Sequence, residues 1–85
     1  LGIIEKKRKT IVYPNPTTNN EIHISNTMHS DQFKLFDLRG RKIRFMEVKY
    51  NLIDATTILS LPPSILSGIY ILQINNKSEV IIVKK

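Results

Sequence analysis

The chain of 85 residues contains no cysteine and no tryptophan, and it has only three glycines. Without cysteine, disulfide frameworks, cysteine-bearing zinc sites and thiol nucleophiles are excluded. No apolar run reaches the roughly 18 to 20 residues that a transmembrane helix needs, so no transmembrane segment is predicted. A chain of this length fits one small domain that buries only roughly 60% of its unfolded surface, which disfavours the deep pockets of enzymes.

Positive charge is concentrated near the start of the chain. The formal net charge is +6, and the segment EKKRK at residues 5–9 supplies half of it, which leaves a nearly balanced body. A nucleic-acid platform spreads Lys and Arg over a face and interleaves them with stacking aromatics, so no nucleic-acid partner is predicted. We interpret residues 1–9 as a basic linker and residues 10–85 as the domain. The first residue is Leu and the first Met is Met28, so we expect a piece of a longer polypeptide.

Apolar and polar residues alternate in seven short runs, which is the period of a β-strand. The runs are residues 10–13, 21–25, 32–38, 41–48, 56–61, 69–74 and 78–84. No segment of ten or more residues has a helical period. Residues 61–68 are predicted to be an extended crossing that could hold a single helical turn and that stops at Gly68. The pattern predicts an all-β fold, a small antiparallel immunoglobulin-like β-sandwich of about seven strands.

Two hairpins are predicted from their turn residues. Asp37 can accept backbone N–H bonds at the start of a type I turn, and Gly40 can adopt the positive φ of a bulge that closes it. Residues 75–77 form the second turn, because Asn tolerates positive φ. The two runs on either side of this second turn are apolar at odd and even positions, so we expect both strands in the centre of a sheet.

The sequence offers no catalytic or metal-binding pattern. His23 alternates with isoleucines and His29 lies in a polar segment, each without a second ligand at a suitable spacing. The carboxylates are scattered, the serines lack a nucleophile motif, and the glycines form no phosphate loop. We therefore predict no enzyme activity, no metal site and no cofactor.

Three sequence blocks, taken in order, resemble the C-terminal sorting domain of the type IX secretion system of Bacteroidetes. They are YPNPT at residues 13–17, LFDLRGRKI at residues 35–43, and SGIYILQI at residues 67–74 with the final lysine pair. The resemblance covers residues 10–85, and only the approach at residues 62–67 looks longer than is usual. The sorting-motif residues that it singles out are Pro14, Asn15, Pro16, Asp37, Gly40, Arg41, Gly68, Tyr70, Lys84 and Lys85.

The resemblance implies a secretion signal attached to an N-terminal cargo domain of the same polypeptide. Such a domain carries its cargo from the periplasm across the outer membrane through the type IX translocon, and a sortase-like surface peptidase then usually removes it. The cargo ends at the cell surface or in the medium. Residues 1–9 would be the link to the cargo, open to the peptidase, and Lys84 and Lys85 would form a charged tip in a fixed place.

Two alternatives of other classes remain open from the residues alone. An adhesive or carbohydrate-binding β-sandwich module of an extracellular enzyme would present a row of exposed aromatics, which the sequence does not show. A nucleic-acid-binding barrel would need cations on one strand face, whereas Arg39, Arg41, Lys42 and Arg44 bracket a tight turn.

Overall fold

The computed structural model describes residues 9–85, and residues 1–8, which contain most of the predicted linker, lie outside the described residues. The described part contains eight β-strands and no helix. The strands are β1 Ile11–Tyr13, β2 Glu21–Ser25, β3 Phe33–Asp37, β4 Lys42–Ile43, β5 Glu47–Asn51, β6 Thr56–Ser60, β7 Gly68–Ile74 and β8 Lys77–Val83. The all-β prediction is confirmed, with eight strands instead of seven.

The strands form two antiparallel four-stranded sheets. The first sheet has the order β1-β2-β6-β5 and the second the order β4-β3-β7-β8. In the immunoglobulin fold, strands A, B, E and D share one sheet while C, F and G share the other. The eight strands take these places in chain order, with β4 as an added strand beside C. The predicted immunoglobulin-like sandwich is therefore confirmed.

The extra strand arises where one strand was predicted across residues 41–48, and that prediction is wrong. The chain leaves the second sheet after β4 and enters the first sheet at β5. Between them Phe45 packs against the core, and the Met46 N–H donates to the Ser60 carbonyl at 2.8 Å. Because Ile43 and Phe45 both face the core, the alternation continues through the crossing and hides it.

The core lies between the two sheets and is built from the inward positions of the strands. Alternate residues are buried along β2, β7 and the end of β8. The buried apolar residues are Ile22, Ile24, Leu35, Leu59, Leu61, Ile65, Tyr70, Leu72, Ile74, Ile81 and Val83. Alternation thus predicted the core face of β2 correctly, whereas the runs of β7 and β8 are apolar at odd and even positions and predicted no single core face.

The last strand, β8, lies at the edge of the second sheet, so the expectation of a central position is wrong for it. Only β7 is central, between β3 and β8. Val80 and Ile82 are 54% and 42% exposed. Both are β-branched residues that favour a strand, but they remain exposed to solvent. An apolar pattern on both faces therefore does not show that a strand is central.

The connections gather at two opposite ends of the sandwich. What we call the C-terminal end holds residues 14–20, 38–41, 61–67 and 84–85. What we call the linker end holds Lys9 and residues 26–32, 52–55 and 75–76. Hydrogen bonds join the parts of the linker end, from Asn75 N to Gln32 O at 2.9 Å and from Asn26 Nδ2 to Lys9 O at 3.2 Å. Strand β1 carries the chain from the linker end to the C-terminal end.

Candidate recognition site at the C-terminal end

The turn between β3 and β4 is organised by Asp37. The Gly40 N–H donates to the Asp37 carbonyl at 3.0 Å, and Gly40 has a φ of 84°. One carboxylate oxygen of Asp37 accepts the N–H groups of Arg39 and Arg41 at 2.9 and 2.8 Å. The prediction of this turn is confirmed in both its carboxylate and its glycine.

Arg41 completes the turn with an ion pair. Its Nε lies 2.8 Å from the second carboxylate oxygen of Asp37. The pKa of the Asp37 carboxyl is lowered, first by the hydrogen bond from the Arg41 backbone N–H and then by the Arg41 guanidinium and the Arg39 N–H. The Arg41 side chain is 74% exposed, so it stabilises the turn and still faces solvent.

Tyr70 anchors the connection from β6 to β7. Its side chain is buried near the start of β7, and its hydroxyl donates to the Leu66 carbonyl at 2.7 Å. A tyrosine at this place, bonded to backbone a few residues upstream, is the tyrosine corner of immunoglobulin-like folds. Tyr70 therefore has a structural role that accounts for its place in the motif.

The connection itself holds a single tight turn. Its i→i+3 hydrogen bond joins the Ile65 N–H to the Pro62 carbonyl at 3.0 Å, and no helix follows in the described residues. Ile65 is buried in the core, which fastens the middle of this long segment. Gly68 follows and pairs with Val83 on β8.

The segment around Pro14, Asn15 and Pro16 covers the free edge of β8. The Asn15 side chain donates from Nδ2 to the Val80 carbonyl at 3.2 Å, and its Oδ1 accepts the Ile82 N–H at 3.0 Å. The amide thus pairs with β8 as a neighbouring strand would. The peptide bonds that precede both prolines are cis.

Thr17 extends this cover to the end of the strand. Its N–H donates to the Ile82 carbonyl at 2.8 Å and its carbonyl accepts the Lys84 N–H at 2.9 Å. Thr17 is completely buried. The sequence predicted a loop here, but it contained no signal that the loop would pair with a strand more than sixty residues away.

The last residue of the chain is held by the connection from β6 to β7. The Lys85 N–H donates to Ser67 Oγ at 2.9 Å, and the Lys85 ammonium donates to the Pro63 carbonyl. Ser67 lies in the third sequence block but is not among the singled-out motif residues, and Pro63 is a functional candidate that the sequence did not indicate. Lys84 and Lys85 remain exposed, so the tip is both fixed and accessible.

The ten sorting-motif residues therefore lie together. The start of β7, the end of β8 and the turn after β3 share one end of the second sheet, since Asp37 pairs with Tyr70 and Gly68 pairs with Val83. Residues 14–17, which we call the Pro14 segment, close the same end through the pairing of Thr17 with Val83. Five cations lie in or beside this end: Arg39, Arg41, Lys42, Lys84 and Lys85.

Residues 9–85 show no group of three or more His, Asp or Glu side chains that could hold a metal ion. His23 lies 3.4 Å from a Glu21 carboxylate oxygen, and His29 contacts the ring of Tyr50 elsewhere. In the same part of the chain no helix is long and apolar enough to cross a membrane.

Fold and site together define a small immunoglobulin-like domain with a fixed, cationic C-terminus. The family model of the secretion system C-terminal sorting domain matches residues 11–85, and the chain belongs to this family. No curated protein and no solved structure matches the chain. The domain is a C-terminal sorting signal of type IX secretion, a Bacteroidetes system, and is not itself catalytic. It works with the type IX machinery on an attached cargo, which is exported to the cell surface or secreted.

Proposed function

We propose that the C-terminal end is the surface that the type IX translocon reads. The observation that carries this proposal is the convergence of three blocks, distant in sequence, at one end of the sandwich. The chain enters the domain at the opposite end, where Asn26 binds the carbonyl of Lys9. A cargo attached before Lys9 therefore leaves the C-terminal end free for a partner.

The motif residues divide into two groups in this proposal. Asn15, Asp37, Gly40 and Tyr70 build the end through the hydrogen bonds and the φ described above. Side chains that remain exposed contact the translocon directly: Arg41, Lys84 and Lys85. Pro14 and Pro16 belong to the building group because they flank Asn15, and Gly68 belongs to it through its pairing with Val83 on β8.

Residues 1–9 serve as the link between cargo and sorting domain in the same proposal. The domain passes through the periplasm with its cargo, and a sortase-like surface peptidase cuts the link afterwards. Cutting there leaves the sandwich intact, since the hydrogen bonds of β1 to β2 begin only at Ile11. Residues 10–85 then form the removable domain.

An adhesive or carbohydrate-binding module gains no support from the aromatic side chains. Tyr13 alone among the large aromatic residues of the described part is more than 40% exposed, and its ring lies against His23. A sugar-binding face uses several exposed rings in a row. Three of the other aromatic residues, Phe33, Phe45 and Tyr70, pack in or beside the core.

Replacing the two terminal lysine side chains tests the proposed tip. Side-chain replacement is preferable to truncation, because truncation also removes the bond from Lys84 N to Thr17 O. With a fluorescent passenger fused to the domain, Lys84→Ala with Lys85→Ala should lower the secreted fraction about tenfold, which corresponds to a loss of about 1.4 kcal/mol of binding free energy.

The matched control is Lys9→Ala with Lys77→Ala, which removes two exposed lysines at or beside the linker end. This variant should be secreted like the unsubstituted fusion, and thermal melts should show that both variants are folded. Equal secretion of the tip variant and the control would show that the lysine pair is not read.

A further inference from the structure

The outer face of the second sheet carries a continuous apolar surface. The strand register places Phe36 beside Ile71 and Ile71 beside Val80 in one row, and Ile69 beside Ile82 in the next. Neighbours in such rows lie within contact distance on one face. These five residues are what we call the apolar face. Ile69, Val80 and Ile82 are 42–54% exposed.

The outer face of the first sheet has a different character. Its rows join His23 to Ile58 and Ile58 to Lys49, and Glu21 to Ser60 and Ser60 to Glu47. Charged and polar side chains therefore dominate that face. An apolar stretch of neighbouring residues rimmed by polar ones marks an interaction surface. Because, among the described residues, only the second sheet has such a stretch on its outer face, the contrast assigns the interaction surface to the second sheet.

The rim of the apolar face is cationic. Lys42 lies beside Phe36, and Lys34 lies in the adjoining row beside Gln73. Lys84 follows Ile82 at the alternate position, and the outward strand positions of this sheet include no carboxylate. A second copy of the domain on this face would bring lysines against lysines, so a symmetric dimer is disfavoured.

The shape of the face favours a protein over a lipid surface. Its aliphatic side chains project from one face of a sheet, and the lysine side chains of the rim are longer than they are. Interfacial membrane binding instead buries an apolar face beneath the charged groups. A flat apolar centre with a charged rim matches the usual anatomy of a protein interface.

We propose that the apolar face docks a protein surface that has a flat apolar centre and a rim of carboxylates. The partner is a component of the type IX machinery, because the face continues through Ile82 into Lys84 and so joins the C-terminal end. The inference rests on the proposed function and adds a second contact area to it.

A double substitution on β8 tests this face. Val80→Thr with Ile82→Thr keeps two β-branched residues in the strand and makes the face polar. The matched control is Val48→Thr with Ile11→Thr, which changes the same residue types on edge strands of the first sheet at 53% and 56% exposure. We expect the β8 variant to reduce secretion of a fused passenger about tenfold, while the control is secreted normally and both melt similarly.

Each other outcome overturns the inference. Normal secretion of the folded β8 variant would show that no partner uses the face. Binding of the purified domain to phosphatidylethanolamine–phosphatidylglycerol vesicles, lost in the β8 variant, would assign the face to lipid. A dimer in analytical ultracentrifugation, broken by the same variant, would assign it to self-association. If the unsubstituted fusion is retained in the cell, the proposed function itself fails, and the docking face fails with it.

Discussion

Asp37 and Gly40 show how much structure two residues can determine. The Asp37 carboxylate accepts two backbone N–H groups and an arginine Nε, while Gly40 supplies the positive φ that brings Arg41 back toward β3. Both residues belong to the sorting motif, yet their contacts lie within the turn. At this scale these residues determine local geometry, and in our proposal recognition depends on the side chains that this geometry displays.

Substitution of Gly40 tests the backbone requirement. Gly40→Val should destabilise the domain by about 1 to 3 kcal/mol, because a β-branched residue is strained at positive φ. A Cβ at Gly40 would meet nothing within 4 Å, so crowding would not confuse the result. Gly68→Ala is the control, since its Cβ would make only an ordinary contact at 3.9 Å. Chemical denaturation that finds Gly40→Val as stable as the control would refute the account of the turn.

The lowered pKa of Asp37 predicts an acid dependence of stability. A carboxyl whose pKa is lower in the folded state stabilises the fold above its unfolded value, and this contribution disappears as the pH falls through the folded value. The ordinary value is 3.8. Asp37→Asn should therefore melt below the wild type near neutral pH, and the difference should shrink below about pH 4.

Thermal melts from neutral to strongly acidic pH measure this difference. Glu79→Gln, which removes an exposed carboxylate on β8, separates the effect of the turn from the loss of one negative charge. A gap between Asp37→Asn and wild type that stays constant across the pH range would contradict the assigned role of the carboxylate.

The free edge of strand β8 is covered by the loop that contains Asn15 and Thr17. Asn15 and Thr17 together occupy the outward backbone groups of residues 80–84. Exposed edges of sheets invite pairing with other chains. The Pro14 segment therefore protects the C-terminal half of β8 and holds its last residues in strand geometry.

Replacing Asn15 should loosen this edge. Asn15→Ala removes two hydrogen bonds to β8, which we expect to cost about 1 to 2 kcal/mol and to speed amide exchange at Ile82. Asn19 is exposed in the same loop, so Asn19→Ala should leave the free energy of unfolding and the amide exchange at Ile82 unchanged. Unaltered exchange at Ile82 in the Asn15 variant would show that the amide does not protect the strand.

Elements differ in how far the sequence predicts them. Alternation predicted the core face of β2, because a period of two reports which side of a strand is buried. It predicted none for β7, whose run is apolar at odd and even positions. Alternation does not report which strand lies beside which, so the predictions of a central β8 and of one strand over residues 41–48 are wrong. The pairing of Asn15 with β8 depends on the same long-range neighbours and left no local signal.

The whole molecule has two ends to which we assign different tasks. Lys9 enters at one end, and the three motif blocks and the chain terminus meet at the other. From the sequence the motif blocks were visible and so was their family, but their convergence was not, since it depends on the immunoglobulin-like order of the strands. This arrangement lets a cargo be attached and removed without disturbing the end that we propose is read.

The most direct measurement of the central claim is the fate of a passenger carrying residues 10–85. The domain is fused to the C-terminus of a periplasmically targeted fluorescent protein and expressed in a Bacteroidetes host. A strain that lacks the type IX translocon expresses the same fusion for comparison. We expect the fluorescence at the cell surface and in the medium of the competent strain, and in the periplasm of the deficient one. Retention of the folded fusion in the periplasm of the competent strain would contradict the account.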